Sequence, residues 1–226
     1  MQKSTNQKLN IILTGATGMV GEGVLQECLH HENVENVLII NRKPGNIKHP
    51  KLKEILHANF FDLSNIEKHL SGYNTCFFCL GVSSVGMPED KYYHLTYNLT
   101  LNFAETVSRL NNDMTFCYIS GSGTDSTEKG RSMWARVKGK TENALTELPF
   151  NQVYNFRPGG LIASKGQKNT PKIYKYIGWL LPVIRTVAPN FVSTLQELGL
   201  AMINASTKGY NKQIIEVADI KALAKL

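Results

Sequence analysis

Apolar runs rich in β-branched residues recur along the chain at "LNIILTG", "NVLIIN", "LKEILHA", "YNTCFFCLGV", "MTFCYISG" and "QVYNFRPG". Short runs of this kind, bounded by Gly, Asn or Pro, predict strands. Between most of them the apolar spacing becomes helical, in "MVGEGVLQECLHH", "YNLTLNFAETVSRL" and "RVKGKTENALTEL". Strand then helix, repeated, predicts a parallel sheet covered on both faces, a doubly wound α/β fold. After residue 160 the pattern changes. A lysine-dotted stretch precedes a helical "STLQELGLAMINAST", and "KQIIEVADIKALAKL" predicts a last short strand and helix. No repeat or low-complexity linker divides the chain, so residues 1–226 are expected to form one domain, with 160–212 contributing a small cap or flap.

Composition narrows the class. At 226 residues and 42% hydrophobic content the chain is long enough for one sizeable core. The polar start "MQKSTNQKLN" leaves no room for a signal-peptide core, and the apolar run "IGWLLPVI" is too short to span a bilayer and is broken by Pro182. The expectation is a cytoplasmic protein. Four cysteines fit a reducing compartment. Cys76 and Cys79 form a C-x-x-C, but on an apolar strand residues three apart point to opposite faces, which favours core packing over a redox pair or metal. No metal site is expected. The net charge of +7 suits an anionic ligand. Its lysines are dispersed, without the aromatic interleaving of a nucleic-acid module, so no nucleic acid is expected as a partner.

The first chemical motif is "TGATGMVGEG", directly after the first strand. Gly15, Gly18 and Gly21 are spaced G-x-x-G-x-x-G. They supply a sharp turn, close backbone approach to a pyrophosphate, and tight helix packing. Thr14, Thr17, Met19 and Val20 complete this loop, whose helix N-terminus faces the phosphates. Asn41 ends the second strand about twenty positions on, where an acid would hold an NAD ribose. It is followed by Arg42 and Lys43, cations suited to a 2′-phosphate, so NADP(H) is favoured over NAD(H).

These motifs, together with "NFFDL", "CLGVS", "YNLTLNFAE", "ISGSG", "RVKGKTENAL" and "FRPGGL" in this order, resemble an atypical short-chain dehydrogenase/reductase. The nearest branch is the Tat-interacting-protein-like oxidoreductases, with the nucleoside-sugar epimerase/dehydratase group as the wider relation. The resemblance runs from about residue 9 to 217. It implies a Rossmann fold with a small C-terminal substrate-side cap. It also implies that Asp62 and Leu63 lie beside the adenine and that Cys79, Leu80 and Gly81 run along the cofactor. On the same grounds Asn98 supports an active-site lysine, Ser120 or Ser122 polarises the substrate, and Lys138 grips the nicotinamide ribose. Pro158 and Gly159, with Leu161 beyond them, meet the carboxamide.

Trp134 departs from this pattern. The residue four before the lysine is normally tyrosine, whose phenol protonates a carbonyl as hydride arrives, and indole does not titrate usefully. Tyr92, Tyr93, Lys91, Ser122 or a water are the other candidates for that proton. Two functions follow: an NADP(H)-dependent oxidoreductase or epimerase-like enzyme on a small apolar carbonyl or hydroxyl substrate, or a catalytically weak NADP(H)-binding sensor. The protein is expected to act as a monomer or homodimer.

In "PKIYKYIGWLLPVIRTV", residues Ile173, Tyr174, Tyr176, Ile177, Leu180, Leu181 and Ile184 offer an apolar surface edged by Lys172, Lys175 and Arg185. This predicts a flap over the substrate pocket, with a membrane-surface or dimer contact, or plain core packing, as alternatives.

Overall fold

The computed structural model describes residues 8–164, 166–167, 169–170 and 181–226. The first half runs β1 (Leu9–Thr14), α1 (Met19–His30), β2 (Val34–Asn41), β3 (Leu52–Leu56) and β4 (Thr75–Phe78). Then come α2 (Glu89–Tyr93), a π turn over His94–Asn98, α3 (Leu99–Leu110), β5 (Thr115–Ile119), α4 (Met133–Thr146) and β6 (Gln152–Arg157). The C-terminal part holds β7 (Gly160–Ile162), α5 (Leu181–Val187), β8 (Val192–Thr194), α6 (Leu195–Lys208), β9 (Ile214–Glu216) and α7 (Val217–Leu223).

Seven strands form one sheet in the order β3-β2-β1-β4-β5-β6-β9, and every pairing in it is parallel. Strict alternation sorts the side chains. Ile11 and Leu13 of β1 join the core under α1, α6 and α7, whereas Ile12 joins the core under α3 and α4. Cys76 belongs to the second core and Cys79 packs against the first, so the C-x-x-C is split across the sheet. Burial raises both thiols well above their ordinary range.

Helices α1 and α6 approach closely through two glycines. A Cβ at Gly23 would lie 2.8 Å from that of Leu195, and one at Gly199 would lie 2.7 Å from Glu27 Cγ. A capping box starts α6: Thr194 Oγ1 accepts the Glu197 N–H at 3.0 Å, and Glu197 Oε2 accepts the Thr194 N–H at 2.8 Å. The small parallel pair β7-β8 stands outside the main sheet, and α5 packs on it through Leu181, whose Cδ2 would be 3.1 Å from a Cβ at Gly160. Of the expected flap, Ile173, Tyr174, Tyr176, Ile177 and Leu180, with Lys172 and Lys175, lie outside the described residues. Among the described residues, no helix is long and apolar enough to cross a membrane.

Candidate functional site

The strand order reverses between β1 and β4, the switch point at whose C-terminal strand ends open α/β sheets take ligands. The glycine turn builds its floor. Gly15 has φ +74°, and a Cβ there would sit 2.7 Å from the Cys79 carbonyl carbon. At Gly21 a Cβ would lie 2.1 Å from the Gly15 oxygen. Gly18 differs: its Cβ would be in ordinary contact, 3.4 Å from the same oxygen. Gly15 and Gly21 are therefore demanded by the fold, while Gly18 leaves space that a ligand would use. Gly18 is also the N-cap of α1 and has no side-chain cap, so the first-turn N–H groups of Met19, Val20 and Gly21 are presented to an anion. A dinucleotide pyrophosphate fits this cradle.

The β4 end lines the other wall. Thr14 Oγ1 accepts the Leu80 N–H at 3.3 Å and fixes the Cys79–Gly81 segment beside the glycine turn. A Cβ at Gly81 would meet nothing within 4 Å, so this backbone borders open space. Asn41 is buried at the tip of β2, where its Nδ2 donates to Glu54 Oε1 at 2.7 Å. Arg42 and Lys43 are exposed. Asp62 is exposed and its Oδ1 accepts the Ser64 N–H at 3.0 Å, which with the Ser64 side chain holds its carboxyl below the usual range. Leu63 packs in the core. Beside them, Phe61 stacks on His94 with ring centroids 4.3 Å apart, a pairing that the sequence pattern did not announce.

At the β5 end the two serines separate. Ser120 is buried and its hydroxyl donates to Glu142 Oε1 at 2.5 Å, with the Phe156 carbonyl at 3.1 Å. Glu142 is itself buried and receives Arg157 Nε at 3.0 Å and an Arg157 terminal nitrogen at 2.5 Å. The same guanidinium reaches Ser126 Oγ at 2.5 Å and Glu216 at 3.4 Å. Ser120 is thus committed to an internal network. Ser122 is exposed, and its N–H donates to the Pro158 carbonyl at 2.9 Å, which ties the serine turn to the turn after β6. Gly159 closes that turn against Phe191, whose carbonyl oxygen a Cβ would meet at 2.3 Å, and Leu161 is buried just beyond.

Helix α4 places Trp134, Lys138 and Glu142 four residues apart on one face. The Trp134 indole lies on the serine turn: its Cη2 is 3.6 Å from a Cβ built on Gly123 and its Cζ3 is 3.9 Å from one on Gly121. It does not point into the core. Lys138 Nζ donates to the carbonyls of Ser120 at 2.5 Å and Ile119 at 3.2 Å, which leaves a third N–H uncommitted among the described residues. Burial lowers its pKa to about 8, against an opposing pull from Glu142.

Asn98 ends a π turn over His94–Asn98 and is exposed, with Nδ2 3.3 Å from His94 Nδ1, and among the described residues the hydrogen bonds of Lys138 go to Ile119 and Ser120 instead. Other proton donors are equally constrained. Tyr92 is buried, and burial raises its phenol further. Tyr93 stacks on Tyr97 at 4.8 Å with Lys140 over both rings. Lys91 is exposed. Glu142 and Arg157 are the residues that sequence reasoning missed. The one available signal was the spacing of Glu142, a single turn after Lys138.

Comparison with known proteins places this geometry. The model of the NAD dependent epimerase/dehydratase family matches residues 11–132, from β1 to the start of α4. Rat protein HTATIP2 is 24% identical over 167 residues, covering 73% of this chain and 67% of its own length. The mitochondrial protein fmp52 of Emericella nidulans is 25% identical over 214 residues, covering 91% and 90%. Among solved structures, the fold matches the UDP-N-acetylglucosamine 4-epimerase of Methanobrevibacter ruminantium in complex with UDP-N-acetylmuramic acid. The TM-score is 0.67 at 17% identity, over 92% of this chain and 76% of that one. The Bordetella bronchiseptica enzyme WbmF in complex with NAD+ matches with TM-score 0.65 at 13% identity, over 98% and 78%. The glycine cradle, the strand order with its switch point and the family match agree: the chain is a Rossmann-fold, nicotinamide-cofactor-binding protein of the atypical short-chain dehydrogenase/reductase type, and it belongs to the NAD dependent epimerase/dehydratase family.

Proposed function

We propose that this protein is an NADP(H)-dependent oxidoreductase or epimerase-like enzyme that acts on a small apolar carbonyl or hydroxyl substrate and protonates it without a tyrosine. The observation that carries this reading is Lys138, held by the Ile119 and Ser120 carbonyls one turn from Trp134 and close to the Ser122 turn. A bound nicotinamide would supply or accept the hydride. The protein's part is to orient and to move a proton. Ser122 Oγ, exposed at the β5 end, donates a hydrogen bond to the carbonyl oxygen. Lys138 Nζ, with its pKa lowered to about 8, sits in the range that suits a general acid, gives up its proton and is refilled from water. Trp134 covers the serine turn and sheds water from it.

The preference for NADP(H) is supported by Asn41 in the place of the ribose-binding acid and by the exposed cations that follow it. The segment over 160–212 is read as the substrate-side cap, because β7 follows directly on the Pro158–Gly159 turn and pairs with β8 outside the main sheet. The cytoplasm is the proposed compartment, in contrast with the mitochondrial names of the fungal relatives. A small molecule is the proposed partner, and the protein is proposed to work as a monomer or homodimer.

A second reading follows from Trp134 itself. An indole packed on the serine turn offers no titratable proton, which suits a protein that binds NADP(H) and reports its occupancy. Loss of NADPH fluorescence across a panel of aldehydes, ketones and quinones tests the two. Turnover with any of them supports the enzyme. Tight NADPH binding without turnover across the panel supports the sensor.

A further inference from the structure

Along α1, next to the glycine turn, lies a cleft of about 340 Å³. Four separate stretches of chain line it: Thr17 of the glycine turn with the adjoining side of α1, Asn41 at the β2 tip, the segment from Gly45 to His49, and Gly166 with Asn169 from the stretch after β7. Arg42 and Lys43 do not line this cleft, whereas Lys48 does, together with the imidazoles of His30 and His49.

One carboxylate joins the strand tip to that segment. Glu54 Oε1 accepts both Asn41 Nδ2 at 2.7 Å and the Gly45 N–H at 2.9 Å. The loop that carries Lys48 is therefore pinned to the place where an adenosine ribose would be read. Glu22 is the only carboxylate among the described lining residues, and it accepts the Asn169 N–H at 2.8 Å. Leu25 and Leu29, both buried, give the α1 side of the cleft an apolar lining.

We propose that this cleft seats the 2′-phosphate on the adenosine half of the cofactor, and that Lys48, rather than Arg42, is the side chain that reads it. The inference rests on the NADP(H) reading above and deepens it. Thr17 and Asn41 stand at the junction of glycine turn and strand tip, and Lys48 supplies the charge from the loop pinned to that tip. Arg42 and Lys48 are both exposed, but only Lys48 lines the cleft, so Arg42 then contributes long-range attraction and little selectivity.

Fluorescence titration with NADPH and NADH on the unmodified protein, Lys48→Ala, Lys48→Arg and Arg42→Ala tests this, with adenosine 2′,5′-bisphosphate as competitor. Lys48→Ala is expected to weaken NADPH about tenfold or more, the loss of one charge-assisted hydrogen bond, with NADH changed by less than about twofold. Lys48→Arg should keep most of the preference, and the bisphosphate should compete well against the unmodified protein and poorly against Lys48→Ala. An NADPH to NADH ratio unchanged in Lys48→Ala but collapsed in Arg42→Ala overturns the assignment while leaving the cofactor preference standing. Equal loss of both cofactors in Lys48→Ala overturns it too, as a disturbed loop rather than a lost phosphate contact. Absence of any NADPH preference in the unmodified protein is a different failure, that of the reading beneath.

Discussion

The Ser120 hydroxyl and Glu142 Oε1 are 2.5 Å apart in a buried network that also holds Arg157. A hydroxyl so engaged cannot turn to a substrate without leaving a buried carboxylate short of a partner. Of the two serines at the β5 end, Ser122 is the one left exposed, and it is the one proposed to meet a substrate. Ser120→Ala is expected to cost about 1–3 kcal/mol of stability, and Glu142→Ala, which removes the buried carboxylate partner of Arg157 and leaves it only Ser126 and the more exposed Glu216, about 3–5 kcal/mol. Ser122→Ala should leave the denaturation midpoint in place and lower turnover of a reduced carbonyl by about 10²-fold or more. Urea unfolding beside steady-state kinetics separates the two serines, and a catalytic loss confined to Ser120→Ala would reverse their roles.

Trp134→Tyr restores a phenol on the serine turn one helical turn from Lys138. Carbonyl reduction should rise by about 10²-fold. The neighbouring ammonium favours phenolate, so the restored rate should fall as pH rises through a lowered phenol pKa. Lys138→Ala should abolish the gain and weaken NADPH in either background. Rates of NADPH consumption against pH for the four proteins check this, and a Trp134→Tyr gain that survives Lys138→Ala would refute the coupling.

The lowered pKa of Lys138 also has a sign in stability. Between about 8 and its ordinary 10.5 the unfolded lysine holds a proton that the folded one releases. Stability therefore climbs with pH across that window, and the penalty for the charge is complete below it. Lys138→Met should melt higher than the unmodified protein near pH 7, with the gap closing by about pH 10. On the proposed role of Lys138 as the grip on the nicotinamide ribose, cofactor affinity should run the opposite way: NADPH binding should weaken above about pH 8 in the unmodified protein and stay flat in Lys138→Met. Parallel melting curves would contradict this.

Gly18→Ala and Gly21→Ala should fail differently. At Gly18 the new methyl meets ordinary contact, so the fold should persist while pyrophosphate approach is blocked and NADPH weakens by about tenfold or more. At Gly21 it would strike the Gly15 carbonyl at 2.1 Å, so the turn itself must shift, at about 1–3 kcal/mol. Thermal melting and cofactor titration on both variants read the difference. An unstable Gly18→Ala would count against its role as ligand space.

The strands that frame the switch point were legible because alternation leaves a period in the sequence, as in "LNIILTG" and "MTFCYISG", and the glycine turn because its spacing reports backbone sterics. The π turn at His94–Asn98 was not, since one inserted residue leaves the helical pattern on either side intact and only changes which face Asn98 occupies. The three-residue strands β7 and β8 are too short to show alternation. Ser120 and Ser122 were indistinguishable in the sequence because the difference between them, Glu142 and Arg157, comes from a helix and a strand more than twenty residues downstream.

The close fit of α1 against α6 bears on how the chain is made. Val24 and Leu25 are completed by Leu195, Leu198 and Met202, which leave the ribosome roughly 170 residues later. At roughly 5–20 residues per second that is a delay on the order of ten seconds or more. Throughout it, the helix that follows the glycine turn has an uncovered apolar flank. The nucleotide half cannot mature ahead of the rest, and a nascent chain stopped short of Leu195 would present that flank to chaperones instead of to α6.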